Sequence, residues 1–255
     1  MLEMDIPGHS KGFDPIRAAG MQFCDEPPSG YATQLYDDPQ GRTVGILRNI
    51  TSEMASLVPE NLFHLGCDET AVKGPCSLAN TASLEKAVFA QVQNHLGKTP
   101  VAWEEALFET NSVPPHSVVN AWSKYSASQV IERGFRAIES HSAWFYLNHV
   151  SLPAESLWQD ISKGVASENI SMLLGGESSM WTDDFCYEEQ CGAFGPGHAP
   201  PLGSHFFPPA QDDAFEQVVM SIVFPRAIVG AGAFYGYDAA LDLSSPEFSI
   251  VFRQA

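Results

Sequence analysis

The segment His64-Leu65-Gly66-Cys67-Asp68-Glu69-Thr70 delivers two adjacent carboxylates at the end of an apolar run. Neighbouring side chains on a strand point to opposite faces, so both acids can serve one site only if the chain turns there. A turn gives them different surroundings, and different surroundings drive two carboxyl pKa values apart. One acid can then deliver a proton while the other stays an anion. The same pair would also suit a solvated helix N-terminus, where the dipole favours negative charge. The aromatic residues weigh against that plainer reading. Trp103, Trp122 and Trp181 each lie at the end of a different apolar run close to acids, and Tyr146 closes another. A single Trp is commonly core packing. Three at equivalent positions point to a carbohydrate site, where indole faces stack on sugar rings and carboxylates accept hydrogen bonds from hydroxyls.

The elements that must carry these residues follow from the spacing of apolar side chains. Short apolar runs at 2–6, 62–67, 100–103, 118–122, 135–138 and 172–175 read as strands. Between them, 44–57, 83–95, 126–133 and, more loosely, 155–167 have the three- and four-residue spacing of helices. Alternating β and α predicts a parallel sheet with crossover helices, either a barrel or an open doubly wound sheet. Nearly every run ends in acids, aromatics or His, which favours the barrel, because its site collects groups from the C-terminal end of each strand. No glycine-rich phosphate loop opens a helix. Residues 184–211, rich in Gly, Pro, His and Phe, predict a long loop over the barrel top. From residue 214 onward the sequence reads as helical, with small residues for close packing, and the whole of 1–255 reads as one domain.

Composition removes several function classes. With 44% hydrophobic and 17% charged residues, the 255-residue chain has ample material for a core. Its net charge of −18 repels phosphate backbones and anionic headgroups, so neither nucleic acid nor a membrane surface is expected as a partner. No run approaches the length of a membrane span, and the N-terminal residues lack the pattern of a signal peptide. Cys186 and Cys191 flank a short loop and could close a small ring, while Cys67 reads as a buried thiol. Acceptor sequons at Asn49 and Asn169 lean toward a secretory compartment. A metal hydrolase built on His9, His64 and Asp68 is disfavoured because no tight His pair anchors an ion, so neither metal nor cofactor is expected.

The sequence resembles the family 20 glycoside hydrolases, the β-N-acetylhexosaminidases. The match rests on MDIPGHS (4–10), FHLGCDET (63–70), VAWEE (101–105), VNAW (119–122), WFYLN (144–148), GGESSMWTD (175–183) and FPRA (224–227). The resemblance implies an exo-acting hydrolase that releases terminal N-acetylglucosamine or N-acetylgalactosamine from glycans, with retention and without an enzyme nucleophile. It implies that Glu69 is the general acid and later the base, that Asp68 orients the 2-acetamido group, and that Tyr146 donates to the acetamido oxygen. Trp103, Trp122 and Trp181 would wall the pocket, and Asp183 and Asn148 would bind outer hydroxyls. Asp5 and His9 match a pair behind the acid, His64 and Glu177 are matched residues further back, and Glu105 matches a motif acid of unassigned role. The resemblance also implies a Cys24–Cys76 disulfide and a secreted, lysosomal or vacuolar location. Cys67 stands where the motif commonly has glycine.

Family members carry two further strands before the one that begins here, the first bearing an Arg that grips the terminal sugar. The expectation is therefore an incomplete barrel of about six β/α units with a C-terminal helical segment, from a truncated product or a fragment. Exposed sheet edges would need cover, and a homodimer is one arrangement that supplies it. A catalytically weak or inactive relic that binds sugar or serves only as a scaffold is the competing reading.

Overall fold

The computed structural model describes residues 1–25, 33–72, 74–148, 154–181, 185–187, 205–207, 224 and 226–237. Contacts group them into two compact units, Met1–Ile138 with Ser171–Leu173, and Glu139–Ile170 with Leu174–Ala255. Six strands, β1 (Leu2–Ile6), β2 (Leu62–Gly66), β3 (Thr99–Trp103), β4 (Val118–Ala121), β5 (Arg136–Glu139) and β6 (Leu173–Gly176), form one sheet in sequence order. Every run expected to be a strand is one, with ends displaced by no more than one residue. Neighbours β1 to β4 pair in parallel. Phe63, Leu65, Val101, Ala102, Val118 and Val119 are all fully buried, as expected of strands covered on both faces.

Local side-chain chemistry sets where the helices begin. Helix α1 (Arg42–Leu57) starts two residues before the apolar periodicity because Asp38 Oδ1 accepts from the Arg42 amide at 3.2 Å and Asp37 Oδ1 from Val44 at 3.2 Å. Its buried residues, Thr43, Val44, Leu47, Thr51 and Ala55, fall at three- and four-residue spacing. Helix α2 (Leu78–Ala90) starts at Ser77, whose hydroxyl accepts from Asn80, and runs on as a π turn through Gln91–His95. Helix α3 (Glu105–Phe108) is a single turn directly after β3. Helix α4 (Ala127–Glu132) carries a reciprocal Ser126–Gln129 capping box.

Residues 155–167 differ from the helix expected there. Only Ala154–Leu157 and Ser167–Met172 wind, both as 3-10 turns. Asp160 Oδ1 accepts from the amide and hydroxyl of Ser162 at 2.9 and 2.5 Å, and Gly164 is left-handed at φ 83°. Such local hydrogen bonds compete directly with the helical pattern. A further helix, α5 (Ser142–Phe145), precedes Tyr146.

In the second unit, residues 226–236 are helical, within the region the sequence reads as helix. Val229 is buried with Leu147 and Leu157, and Trp158, Met180 and Ala227 pack around them. A Cβ at Gly232 would lie 2.8 Å from the Trp158 ring, so the small residues do allow close approach. Within the stretch expected as a long loop, β7 (Phe185–Tyr187) and β8 (His205–Phe207) pair in parallel. Asp183, Cys191 and the Cys186 side chain lie outside the described residues. Among the described residues, no helix is long and apolar enough to cross a membrane.

Cys24 and Cys76 are joined in a disulfide, with Cα atoms 5.7 Å apart and a sequence separation of 52. It ties the segment after β1 to the segment after β2. Closing a loop of that size restricts the unfolded chain, so replacing both cysteines by Ser should remove about 2–4 kcal/mol of stability. The urea midpoint of the doubly substituted chain, against the oxidised parent, measures it.

Candidate active site

The site is built from the turn that ends β2 and the turn that ends β1. After Gly66 the chain becomes left-handed, with Gly66 at φ 67°, Cys67 at 73° and Glu69 at 47°. Non-glycine residues rarely occupy this region, so surrounding structure must hold them there. That support is visible. A Cβ on Gly66 would overlap the Asp5 carboxyl, and one on Gly8 would stand 2.6 Å from the Asp68 carbonyl oxygen. The two turns therefore interlock, and they do so only because neither position has a side chain. Cys67 is fully buried behind them, and burial pushes its thiol well up, so it is a packing group and not a nucleophile.

The turn separates the adjacent acids as their spacing requires. The Asp68 side chain is 13% exposed and that of Glu69 is 49% exposed. His9, itself left-handed at φ 46°, places Nε2 3.1 Å from Glu69 Oε2 and 3.5 Å from Asp68 Oδ2. The carboxyls of Asp5 and Asp68 face each other, with an oxygen of each within 4.8 Å of the other. Burial, and then the Asp68 charge, push the Asp5 carboxyl far above the usual range, so Asp5 holds a proton beside its partner. Asp5, His9 and Asp68 bring ligand-type atoms within 4.8 Å of one another, as a metal site would. The proton on Asp5 and the imidazole of His9 already balance those charges.

The electrostatic order differs from the one an acid role for Glu69 leads one to expect. Burial raises Asp68, whereas the hydrogen bond from His9 lowers Glu69 and raises His9 in turn. In the free chain the proton of the His9–Glu69 pair sits on the imidazole. The cause is the open side of Glu69: water and His9 both stabilise the anion.

Two tryptophans stand near this cluster, each held by a carboxylate. Trp103 Nε1 donates to Glu3 Oε1 at 3.1 Å, and its ring meets Trp122 edge-on at 6.3 Å. His64 packs against Trp103 at 5.1 Å. His64 Nδ1 lies 3.0 Å from Glu3 Oε1 and 3.0 Å from the Gly66 amide nitrogen. One ring nitrogen can serve only one of them, and the charged carboxylate favours the Nδ1–H tautomer. Partial burial opposes ionisation of Glu3, but hydrogen bonds from His64 and Trp103 hold it below the usual range. Sequence reasoning passed over Glu3. Its signal was alternation: in Leu2–Ile6, Met4 and Ile6 are buried, leaving Glu3 and Asp5 on the other face.

The second unit holds its own group. The rings of Tyr146 and Trp181 lie 5.9 Å apart, and the Trp181 amide donates to Asn148 Oδ1 at 3.4 Å. The Leu147 amide donates to the Ser179 carbonyl and the Ser179 amide to the Phe145 carbonyl, fixing this stretch against the end of β6. Tyr146 and Asn148 are 8% and 6% exposed, and Trp181 is 40% exposed. Glu177 is anchored through its amide, which donates to the Glu139 carbonyl at 2.9 Å.

The His9–Glu69 pair has a defined pH window. The raised His9 contributes stability in full below its unfolded pKa near 6.5 and loses it as pH rises through its folded value. The lowered Glu69 contributes above its unfolded value near 4.5 and loses it as pH falls through its folded value. The pair should be strongest between those two values. His9→Ala should flatten the stability profile there and move the Glu69 carboxyl titration, followed by carbon-13 NMR, to higher pH. An unmoved titration would contradict the pairing.

Comparison with known proteins fits this geometry. Residues 1–191 match the model of the glycosyl hydrolase family 20 catalytic domain. Beta-hexosaminidase 1 of Arabidopsis thaliana is 27% identical over 199 residues, covering 71% of this chain and 36% of that protein. Beta-hexosaminidase subunit beta of Mus musculus is 23% identical over 208 residues, covering 70% of this chain and 38% of that one. The chain thus spans little more than a third of these relatives' length. Among solved structures, a family 20 exo beta-N-acetylglucosaminidase from Vibrio harveyi, in complex with N-acetylglucosamine, aligns with a TM-score of 0.68 at 17% identity. That alignment covers 99% of this chain and 42% of that one. The likeness makes the fold of the TIM-barrel type, with six strands of its sheet among the described residues. A parallel sheet that gathers interlocked carboxyls at its strand ends, and a family match over most of its length, make this chain a member of glycosyl hydrolase family 20.

Proposed function

We propose that the chain carries the catalytic acids of an exo-acting β-N-acetylhexosaminidase, working on terminal N-acetylglucosamine or N-acetylgalactosamine of glycans. The observation that carries the reading is the separation of Asp68 from Glu69, one buried beside a protonated Asp5 and one half-open beside His9. Two adjacent acids held in unlike environments are what acid catalysis beside a developing cation requires.

In this reading Glu69 protonates the glycosidic oxygen while the acetamido carbonyl oxygen of the substrate attacks C1. The bond to the leaving group breaks and a cationic oxazolinium forms. Asp68 orients the acetamido N–H and stabilises the cation, and the proton on Asp5 keeps a second negative charge from crowding it. Glu69 then takes a proton from water, which opens the oxazolinium with retention. A bound sugar covering Glu69 would strip its water and raise its proton affinity, moving the proton from His9 to the acid. Trp103 and Trp122 wall the acetamido side. Motif correspondence assigns Tyr146 to the acetamido oxygen, Trp181 to the sugar face, and Asn148 and Asp183 to outer hydroxyls. The Cys24–Cys76 disulfide and the two sequons favour an oxidising, secretory or lysosomal setting.

Hydrolysis of a chromogenic N-acetylglucosaminide tests the reading. Glu69→Gln should lower kcat/KM by roughly 10²–10⁴-fold. A thiazoline analogue of the oxazolinium should raise the melting temperature of the parent chain, since a ligand bound only to the folded state stabilises it. Parent and variant equally silent, with no thermal shift, would leave the scaffold reading standing.

A further inference from the structure

The turn between β3 and α3 carries two buried acids that the proposed chemistry does not use. Glu104 is 1% exposed, yet among the described residues no Lys or Arg side chain pairs with it. Its carboxylate instead takes three consecutive amides from the loop after β4: Oε2 accepts from Trp122 at 2.8 Å and Ser123 at 3.2 Å, and Oε1 from Lys124 at 2.6 Å. Glu105, 7% exposed, accepts the Trp122 indole N–H on both oxygens, at 3.2 and 3.0 Å. The same turn and loop meet again further out, where Lys124 Nζ reaches Glu109 at 2.8 Å and the rings of Phe108 and Tyr125 stack at 3.7 Å.

Burying a carboxylate is costly unless its oxygens are satisfied, and an apolar residue would fill the same space at lower cost. These two acids converge on one residue, its backbone through Glu104 and its ring through Glu105. We infer that Glu104 and Glu105 are positioning residues that fix the backbone and the ring plane of Trp122 before any sugar arrives. Both oxygens of Glu105 face one N–H, so the ring cannot swing about its Cβ–Cγ bond without leaving a buried carboxylate unpaired. Trp103 is held in the same manner from another strand, by Glu3, so the two indoles keep their edge-on contact by separate anchors. The consequence is selectivity for the acyl group of the substrate, because a fixed indole admits an acetamido methyl and refuses a longer chain. That consequence rests on the proposed hydrolase reading; the anchoring itself does not.

Proton NMR of the indole N–H groups separates the two. The Trp122 resonance, assigned by its loss in Trp122→Phe, should lie downfield and exchange slowly in the parent chain. In Glu105→Gln it should move upfield while the Trp103 resonance stays in place. A Trp122 resonance unchanged in Glu105→Gln, or free-indole exchange in the parent, overturns the inference. If the variant does not fold, the exchange rate in the parent decides alone. Against N-acetyl and N-butanoyl glucosaminides, Glu105→Gln should raise KM for the acetyl substrate about tenfold with kcat nearly kept, and narrow the preference for acetyl over butanoyl. A fall in kcat alone, with KM and preference unchanged, would assign Glu105 a merely structural role and overturn the positioning. An inactive parent chain with a shifted Trp122 resonance would sink the hydrolase reading and keep the anchoring.

Discussion

The left-handed turn from Gly66 to Glu69 is the constraint on which the carboxyl cluster depends. In an extended strand Asp68 and Glu69 would point to opposite faces, and one of them would be lost to the far side of the sheet. The turn brings both to the end of β2, and it persists because β1 fills the space beneath it. Asp5 occupies the volume a side chain at Gly66 would need, and Gly8 lets the Asp68 carbonyl approach. The disulfide between Cys24 and Cys76 ties together the segments that follow these same two strands. Backbone conformation, sheet pairing and covalent cross-link thus converge on one short stretch.

The second feature is how negative charge is tolerated there. Glu3, Glu104 and Glu105 are held by indole N–H groups, the His64 imidazole and backbone amides, and Asp68 by the protonated Asp5 and by His9. The dipolar donors to Glu3, Glu104 and Glu105 lower the cost of desolvating a carboxylate without cancelling its field as a lysine or arginine would. His9, its proton affinity raised by the acids beside it, instead offsets part of the charge of Asp68 and Glu69. Burial still shows in Glu105, whose carboxyl is pushed up to about 7. A site that keeps its negative potential in this way suits chemistry in which positive charge develops on the substrate.

The second unit follows simpler rules. Tyr146, Asn148 and Trp181 are brought together by backbone exchange between the residues after α5 and those after β6, and Leu147 anchors the stretch in a small apolar core with Leu157 and Val229. The helix at 226–236 joins that core with Gly232 where the Trp158 ring presses against it and Gly230 where the Ser178 hydroxyl does. Packing there places the polar groups; in the first unit polar groups also hold one another.

Much of this was legible in the order of residues. The strands and helices α1, α2 and α4 were readable because each buries a regular apolar pattern, and the need for a turn at Asp68-Glu69 followed from alternation alone. Residues 155–167 misled because their apolar spacing is helical while Asp160 bonds the Ser162 amide and Gly164 turns left-handed. Asp5, His9, Asp68 and Glu69 could be singled out by type and by family motif, but which held the proton could not. Protonation depends on the water each carboxyl has lost and on the charge set beside it, and both are fixed only when β1 and β2 pair. The roles of Glu3, Glu104 and Glu105 were hidden for the same reason: each partner lies on another strand or the loop after one, and only folding brings the two within hydrogen-bond reach. The sequence alone determined which residues could do chemistry and which elements carry them; the tertiary structure decided how each is charged and what holds it, because those depend on distances between segments far apart in the chain.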